Sequence, residues 1–440
     1  EERLPRYTSY PTAPQFSRDV DRGDYARWLA SLTPDVAGSL YLHVPFCRSM
    51  CWYCGCHTTI TRHDDPIGEY IGVLRREIEL VAEQIGQRLR VDHVHFGGGT
   101  PTIMSPDNFL QLMGALRERF NLPSTCEIAI EIDPTTLTAD MARALGKGGV
   151  TRASLGVQTC DPVVQKAIHR IQSVAQTRAA SEGLREVGVT SINFDLIYGL
   201  PHQTIASCLD TVARCVEMRP DRFAVFGYAH IPSFKKHQRV IDEAILPDGA
   251  QRFEQAETIA QALQQAGYRR IGLDHYALPG DSMVQAQESG ALRRNFQGYT
   301  TDVGEALIGL GASAIGHLPQ GYVQNEVSLP AYAKCIERGE LATAKGYALS
   351  NDDRLRAEII ERIMCDFAVD LDAVCTRHGA ASADLRQSAP RLAEFEADRL
   401  VSRKGAGFEI EPHARHLVRT VASAFDAYLG TAGSVHSKAV

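Results

Sequence analysis

Leu40-Tyr41-Leu42-His43-Val44-Pro45-Phe46-Cys47-Arg48-Ser49-Met50-Cys51-Trp52-Tyr53-Cys54-Gly55-Cys56 joins a short strand-like run to a loop with four cysteines in ten residues. The run over 40–44 has the composition of a β-strand, and Pro45 ends it. The same pattern recurs downstream. Apolar, β-branched or aromatic runs at 91–96, 127–132, 152–157, 191–197 and 222–228 alternate with helical-period segments near 66–88, 106–120, 139–147, 174–187 and 205–217. Ser105-Pro106 places an N-cap before a Pro at the first helical position. Successive βα units predict an α/β fold, either an open doubly wound sheet or a curved, incomplete barrel. In both, ligands gather at the carboxyl ends of the strands, so the residues after each strand are where chemistry is sought.

Composition excludes several classes. The 440 residues are 44% hydrophobic and 22% charged, with 36 Gly and 20 Pro, the mixture of an ordinary globular protein. Lys and Arg number 46 against 53 Asp and Glu, a formal charge of −7, so no nucleic-acid partner is expected. No apolar run reaches the ~18 residues of a membrane span. Glu1-Glu2-Arg3-Leu4-Pro5 lacks the apolar stretch of a signal peptide, and a cytoplasmic protein is expected; the missing Met suggests a short segment upstream. Eleven cysteines, an odd number, argue against a disulfide framework.

The chain is expected to divide into an extended arm and short helix (1–37), the main α/β domain (38–345), a smaller helical domain (346–430) and a disordered tail (431–440). Arg6-Tyr7-Thr8-Ser9-Tyr10-Pro11-Thr12-Ala13-Pro14 is too rich in Pro and Thr for a helix. A strand-like stretch covers 268–273, and 304–316 is Gly-rich. Helical periods at 352–367 and 390–398, a hairpin at 400–410 around Lys404-Gly405-Ala406-Gly407 and a last helix at 412–428 resemble a winged helix. The acidic balance favours packing or a lid over DNA binding there.

The first three loop cysteines have the spacing C-x3-C-x2-C. Zinc sites usually take two separated pairs, and no second pair matches. Three thiolates in one loop suit a four-iron cluster with one iron open to a ligand. Two alternatives stay open: buried cysteines acting as small apolar residues, and Cys56 as a fourth ligand in a ferredoxin-like carrier, although one intervening residue after Cys54 makes that chelation awkward. Gly97-Gly98-Gly99-Thr100-Pro101-Thr102 follows the second strand, where glycines let backbone approach a ligand and offer N–H groups to a carboxylate. Glu131 ends the third strand on the face of Glu127 and Ala129, placed for a hydroxyl or ammonium group.

C-x3-C-x2-C after a first strand, with Tyr53 between the second and third cysteines, resembles the radical S-adenosylmethionine enzymes. With the fourth cysteine, Arg6 to Ala13, Gly156-Val157-Gln158, Asn193-Phe194-Asp195-Leu196-Ile197-Tyr198-Gly199-Leu200-Pro201, Tyr228-Ala229-His230-Ile231-Pro232 and Arg294-Asn295-Phe296-Gln297-Gly298-Tyr299-Thr300-Thr301, almost the whole chain is similar to the oxygen-independent coproporphyrinogen III oxidases. The resemblance implies an incomplete parallel (β/α)6 TIM-like barrel with a smaller, mostly helical, winged-helix-like C-terminal domain. It implies one 4Fe-4S cluster on Cys47, Cys51 and Cys54, and two molecules of S-adenosyl-L-methionine. Their implied contacts are Tyr41, Tyr53, Gly98, Gly99, Thr100, Glu131, Gln158, Arg170, Asp195, Ile197, Ala229 and Ile315.

The implied reaction is an anaerobic oxidative decarboxylation of two propionates of coproporphyrinogen III, started by a 5′-deoxyadenosyl radical and yielding protoporphyrinogen IX. A tetracarboxylate needs cationic partners, and Arg6, His275, Arg293 and Arg294 are candidates. A separate electron donor and a monomer are expected. The sequence departs from the family pattern at Trp52, Thr159, Cys160, His169 and Gly227, which bears on the second cosubstrate site. Rival readings are a haem chaperone, a radical methyltransferase or haem-cleaving enzyme, and a non-enzymatic electron-transfer or winged-helix regulator. The fourth cysteine, the arm and the 294–301 segment count against the chaperone.

Overall fold

The computed structural model describes residues 4–383, 385 and 389–430. They form two units, one from 17–266 and 302–348, the other from 4–16, 267–301 and 349–430. In the first, β1 (Ala37–Val44), β2 (Arg90–Gly98), β3 (Glu127–Ile132), β4 (Arg152–Gln158), β5 (Ser191–Tyr198) and β6 (Arg222–Gly227) lie side by side in chain order, all parallel. The connecting helices are α1 (Asp65–Ile85), α2 (Pro106–Arg119), α3 (Ala139–Gly148), α4 (Pro162–Ala167), α5 (Val174–Glu186) and α6 (Ile205–Glu217). The Ser105 hydroxyl caps α2 by accepting the Asn108 N–H at 3.1 Å.

The Gly-rich segment holds strands that its composition hid. β7 (Ala306–Leu310) runs parallel to β1 on its other side, and β8 (Ile315–Leu318), β9 (Gly321–Asn325) and β10 (Thr343–Ala348) extend the edge antiparallel. A Cβ on Gly309 would lie 2.7 Å from the Ile315 backbone, so the β7–β8 approach requires glycine there.

Helix α1 buries Ile67, Tyr70, Ile71, Leu74, Ile78, Val81 and Ile85 at helical spacing, and Glu77 among them. The Glu77 carboxylate accepts from Gly311 N–H (2.6 Å), Asn325 Nδ2 (2.6 Å) and Tyr332 Oη (2.7 Å), tying α1 to the turns around β7 to β9. Burial pushes its carboxyl up to about 7 against the pull of those donors. Tyr70 donates to His43 O (2.6 Å) and accepts from Ala312 N–H (3.0 Å), bracing the end of β1.

In the second unit, helices Asn351–Asp366, Leu371–Arg377 and Arg391–Ala397 pack with an antiparallel sheet of Ala368–Val369, Gly407–Ile410 and Val401–Lys404. The packing draws the borders differently from the linear division into 1–37, 38–345 and 346–430. Tyr7 and Tyr10 of the arm are buried with Ile359, Ile363, Phe367 and Phe425. Tyr7 Oη donates to Asp426 (3.0 Å), Tyr10 Oη accepts from Ala427 N–H (2.9 Å), and Arg419 Nε donates to Pro5 O (2.9 Å). The 267–301 segment joins them through Tyr299 Oη on Met364 O (2.7 Å). Residues from Ser17 on, with helix Arg22–Ala30, belong to the first unit.

The continuous helix expected over 412–428 is corrected. Two 3-10 turns, Pro412–Leu417 and Ser423–Phe425, flank a short α-helix, Val418–Ala422. Ser423 Oγ bonds Thr420 O at 2.7 Å, and tertiary bonds to the arm override helical period here. The tail at 431–440 lies outside the described residues. Among the described residues no helix is long and apolar enough to cross a membrane.

Glu77→Ala leaves three buried donors without an acceptor and is expected to destabilise the first unit by about 3 kcal/mol or more. Equilibrium urea unfolding followed by fluorescence measures this; an unchanged midpoint would remove Glu77 from the account.

Candidate active site

The cysteine loop leaves β1 at Pro45 and is held by groups from outside itself. Trp52 N–H donates to Ile168 O (3.0 Å) and His169 Nδ1 to Met50 O (2.9 Å), while the Trp52 and His169 rings stack 5.1 Å apart. On the other flank, Gln238 Nε2 donates to Tyr53 O (2.9 Å), His237 Nε2 to Cys54 O (2.7 Å) and Lys235 Nζ to Cys56 O (3.0 Å).

Each of the three thiols of C-x3-C-x2-C meets a polar partner. Cys47 Sγ accepts from Thr58 Oγ1 (3.3 Å) and lies 3.5 Å from Thr100 Oγ1. Arg170 Nη1 lies 3.9 Å from Cys51 Sγ, and the Cys56 N–H donates to Cys54 Sγ at 3.4 Å. Burial pushes the Cys47 thiol up and the Cys51 thiol to about 11, whereas the Cys56 side chain and amide lower Cys54. Three thiolates here therefore need a cationic centre. Among the described residues no three His, Cys, Asp or Glu side chains converge on a single ion.

The glycine run works differently from the expectation. The N–H groups are already engaged: Gly98 by Glu131 Oε2 (3.1 Å), Gly99 by Val44 O (3.0 Å) and Thr100 by Phe46 O (2.8 Å). That corrects the reading of free donors for a carboxylate. Glycine is needed for close approach: a Cβ on Gly98, whose φ is 120°, would sit 2.8 Å from the His43 ring, and one on Gly99 2.5 Å from Phe46 O.

Parallel register gathers the polar residues of the first unit on one face. Tyr41 pairs with His95, and Glu131 with Ser154, which pairs with Asn193. His95 Nε2 donates to Glu131 Oε1 at 3.2 Å. Withdrawal from water pushes the Glu131 carboxyl up, but His95 and the Gly98 N–H outweigh it and leave it below the usual range. Asp195 accepts from Ser154 Oγ (2.9 Å) and Asn193 Nδ2 (2.8 Å); withdrawal from water and the Glu131 charge raise it from 3.8 to about 7. Burial pushes His43 down to about 4. Its Nε2–H donates to His57 O (3.2 Å), so Nδ1 accepts from Tyr41 Oη (2.9 Å).

The remaining candidates take separate places. Gln158 ends β4 in a left-handed conformation, φ 65°. Arg170 follows α4, paired with Asp133 at 2.6 Å and donating to Gly156 O at 3.3 Å. Tyr53 packs on Val164, Ile168, Leu200, Tyr228 and Ile241, together with Ile197. Ala229 follows β6, its carbonyl accepting from Gln238 Nε2 (3.2 Å). Ile315 opens β8 beside Gly309, the partner of Tyr41. His43, His95, Ser154, Asn193, Lys235, His237 and Gln238 were missed as site residues, and His169 was singled out only as a departure from the family pattern. Strand alternation from Tyr41 and Glu131 could have found His43 and His95; the loop clamps leave no sequence signal.

Comparison with known proteins places this geometry. The Radical SAM superfamily matches residues 41–215 and the HemN C-terminal domain residues 349–417. An oxygen-independent coproporphyrinogen III oxidase of Bradyrhizobium diazoefficiens is 61% identical over 440 residues, 100% of this chain and 98% of that protein. One from Pseudomonas aeruginosa is 40% identical over 434 residues, 97% of this chain and 93% of that protein. The chain belongs to the oxygen-independent coproporphyrinogen III oxidases. The solved structure of coproporphyrinogen III oxidase (HemN) from Escherichia coli, a radical SAM enzyme, superposes with a TM-score of 0.92 at 36% identity, covering 97% of this chain and 100% of that one.

Radical SAM membership implies a 4Fe-4S cluster and S-adenosylmethionine. The donor set fits: three thiols in one loop, each with a polar partner that would orient it, suit thiolate ligands of a cluster in a member of this oxidase family.

The raised Asp195 carboxyl has a consequence for stability. Its stabilising contribution is fully present below the unfolded value of 3.8 and is lost as pH rises through about 7. Asp195→Asn is expected to flatten the fall in stability over that window, read from urea midpoints at stepped pH; an unchanged profile would contradict the raised carboxyl.

Proposed function

We infer that the chain catalyses the anaerobic oxidative decarboxylation of two propionate side chains of coproporphyrinogen III to vinyl groups, giving protoporphyrinogen IX in haem biosynthesis. The observation that carries this is 61% identity along the whole chain with an oxygen-independent coproporphyrinogen III oxidase. When bound, the cluster supplies the electron that cleaves S-adenosylmethionine into the 5′-deoxyadenosyl radical that starts the reaction. Each propionate then gives a hydrogen atom to the 5′-deoxyadenosyl radical, releases carbon dioxide and passes one electron to an external one-electron acceptor.

Residue roles belong to the same proposal. Cys47, Cys51 and Cys54 hold the cluster and leave one iron for the cosubstrate. Cys56 is left out because its amide is turned onto Cys54 Sγ. Glu131 and Asp195 receive hydroxyl or ammonium hydrogens, and Arg170, anchored by Asp133, faces carboxylate. With their N–H groups engaged, Gly98, Gly99 and Thr100 present carbonyl oxygens and a close-approach surface. Tyr53 gives a flat apolar wall for adenine, and Tyr41, Gln158, Ala229 and Ile315 line the rest. A second S-adenosylmethionine is part of the reading.

For substrate propionates, Arg294 is the best supported cation, since its Nε and Nη1 are buried without a partner. Arg6 and His275 join it, whereas Arg293 is engaged by Glu361 at 3.0 Å. At the level of fold, the reading is an incomplete (β/α)6 barrel with a winged-helix-like C-terminal part. The eleven cysteines, an odd number, fit a reducing compartment rather than a disulfide framework; a cytoplasmic monomer served by a separate electron donor completes the proposal.

The test is anaerobic. The reconstituted protein is given S-adenosylmethionine, dithionite and coproporphyrinogen III, and nucleoside and tetrapyrrole products are followed together by mass spectrometry. Loss of two carboxyl groups with formation of 5′-deoxyadenosine is expected, and Cys51→Ala abolishes both. Formation of 5′-deoxyadenosine with the tetrapyrrole intact would reject coproporphyrinogen III as substrate.

A further inference from the structure

Phe234-Lys235-Lys236-His237-Gln238-Arg239-Val240 is the most basic short stretch next to the cysteine loop, in a chain whose formal charge is −7. Residues Lys236–Val240 form a 3-10 turn. Its side chains divide into two sets. Lys235, His237 and Gln238 point inward and donate to the carbonyls of Cys56, Cys54 and Tyr53 at 3.0, 2.7 and 2.9 Å. Phe234 and Val240 are 62% and 57% exposed, and Lys236 and Arg239 stand out with them. The two acids that follow are engaged elsewhere: Asp242 caps Ala244 N–H at 2.9 Å, and Glu243 pairs with His230 at 3.2 Å.

An apolar pair flanking two exposed cations on one turn, with Arg239 Nε steadied by Pro232 O at 3.3 Å, has the make-up of a protein docking surface, with an aromatic anchor and a charged rim. A pocket for a small tetracarboxylate would instead need buried, convergent groups. The surface lies one hydrogen bond from the backbone of Cys54, and electron transfer weakens exponentially with distance. We propose that Phe234, Lys236, Arg239 and Val240 form the docking surface for the electron donor, a small carrier protein with an acidic rim around its redox group. The carrier gives up one electron for each S-adenosylmethionine cleaved and leaves oxidised by one. This rests on the reductive radical reading above.

The experiment compares two reductants on the reconstituted full chain, reading 5′-deoxyadenosine formation with an acidic reduced flavodoxin or with saturating dithionite. Lys236→Glu/Arg239→Glu is expected to raise the KM for flavodoxin about tenfold or more, to weaken flavodoxin binding in calorimetry, and to leave the dithionite rate unchanged. Lys236→Arg/Arg239→Lys restores the wild-type KM. Wild-type binding to flavodoxin weakens as salt is added. A flavodoxin KM unchanged by charge reversal, or an equal loss with both reductants accompanied by a raised KM for coproporphyrinogen III, overturns the proposal; the second outcome assigns the cations to substrate. Absence of 5′-deoxyadenosine from wild type with dithionite would defeat the radical reading itself, and the docking surface with it.

Discussion

The cysteine loop has the Cys54 N–H on Cys51 O as a turn of its own, while the backbone groups of Met50, Trp52, Tyr53, Cys54 and Cys56 bond to residues outside it. Here the clamp is external. Ile168 and His169 fix Met50 and Trp52 on one side, and Lys235, His237 and Gln238 fix Tyr53, Cys54 and Cys56 on the other. Both clamps grow from segments that follow strands β4 and β6, so the parallel sheet sets the loop's shape. Beneath it, Tyr70 and Glu77 fasten the end of β1 to the turns around β7 to β9.

The polar face of the sheet follows from the same constraint. A parallel sheet covered by helices is normally apolar on both faces, yet Tyr41, His95, Glu131, Ser154, Asn193 and Asp195 share one. Ser154, Asn193 and Asp195 form a closed set of hydrogen bonds, and His95 bonds Glu131 beside them. An arrangement that opposes easy burial is what a ligand-bearing surface requires, and it leaves Asp195 near neutrality on the pH scale.

Much of this was legible in the chain. Runs of β-branched and aromatic residues located the six parallel strands, and the spacing of Cys47, Cys51 and Cys54 singled out the loop that is proposed to hold the cluster. The strand at Ala306–Leu310 was hidden because Gly304, Gly309, Gly311 and Gly316 suppress β-propensity while permitting close strand approach. The loop contacts of His169 and His237 escaped notice since each reaches a loop more than 100 positions away, a relation no local pattern encodes. The glycine run was correctly marked as special but for a different reason: its backbone donors are engaged by Glu131, Val44 and Phe46, and its small size is what matters. The union of Tyr7 and Tyr10 with the C-terminal core is likewise a tertiary fact that an arm of Pro and Thr does not disclose.

Three thiols of the clamped loop, and not the fourth, are proposed to hold the cluster. Iron and acid-labile sulfide content after anaerobic reconstitution tests it most directly, with Cys54→Ala and Cys56→Ala compared against wild type. Cys56→Ala is expected to retain the wild-type iron and sulfide content and Cys54→Ala to lose it. Loss of the cluster from Cys56→Ala with retention in Cys54→Ala would contradict it.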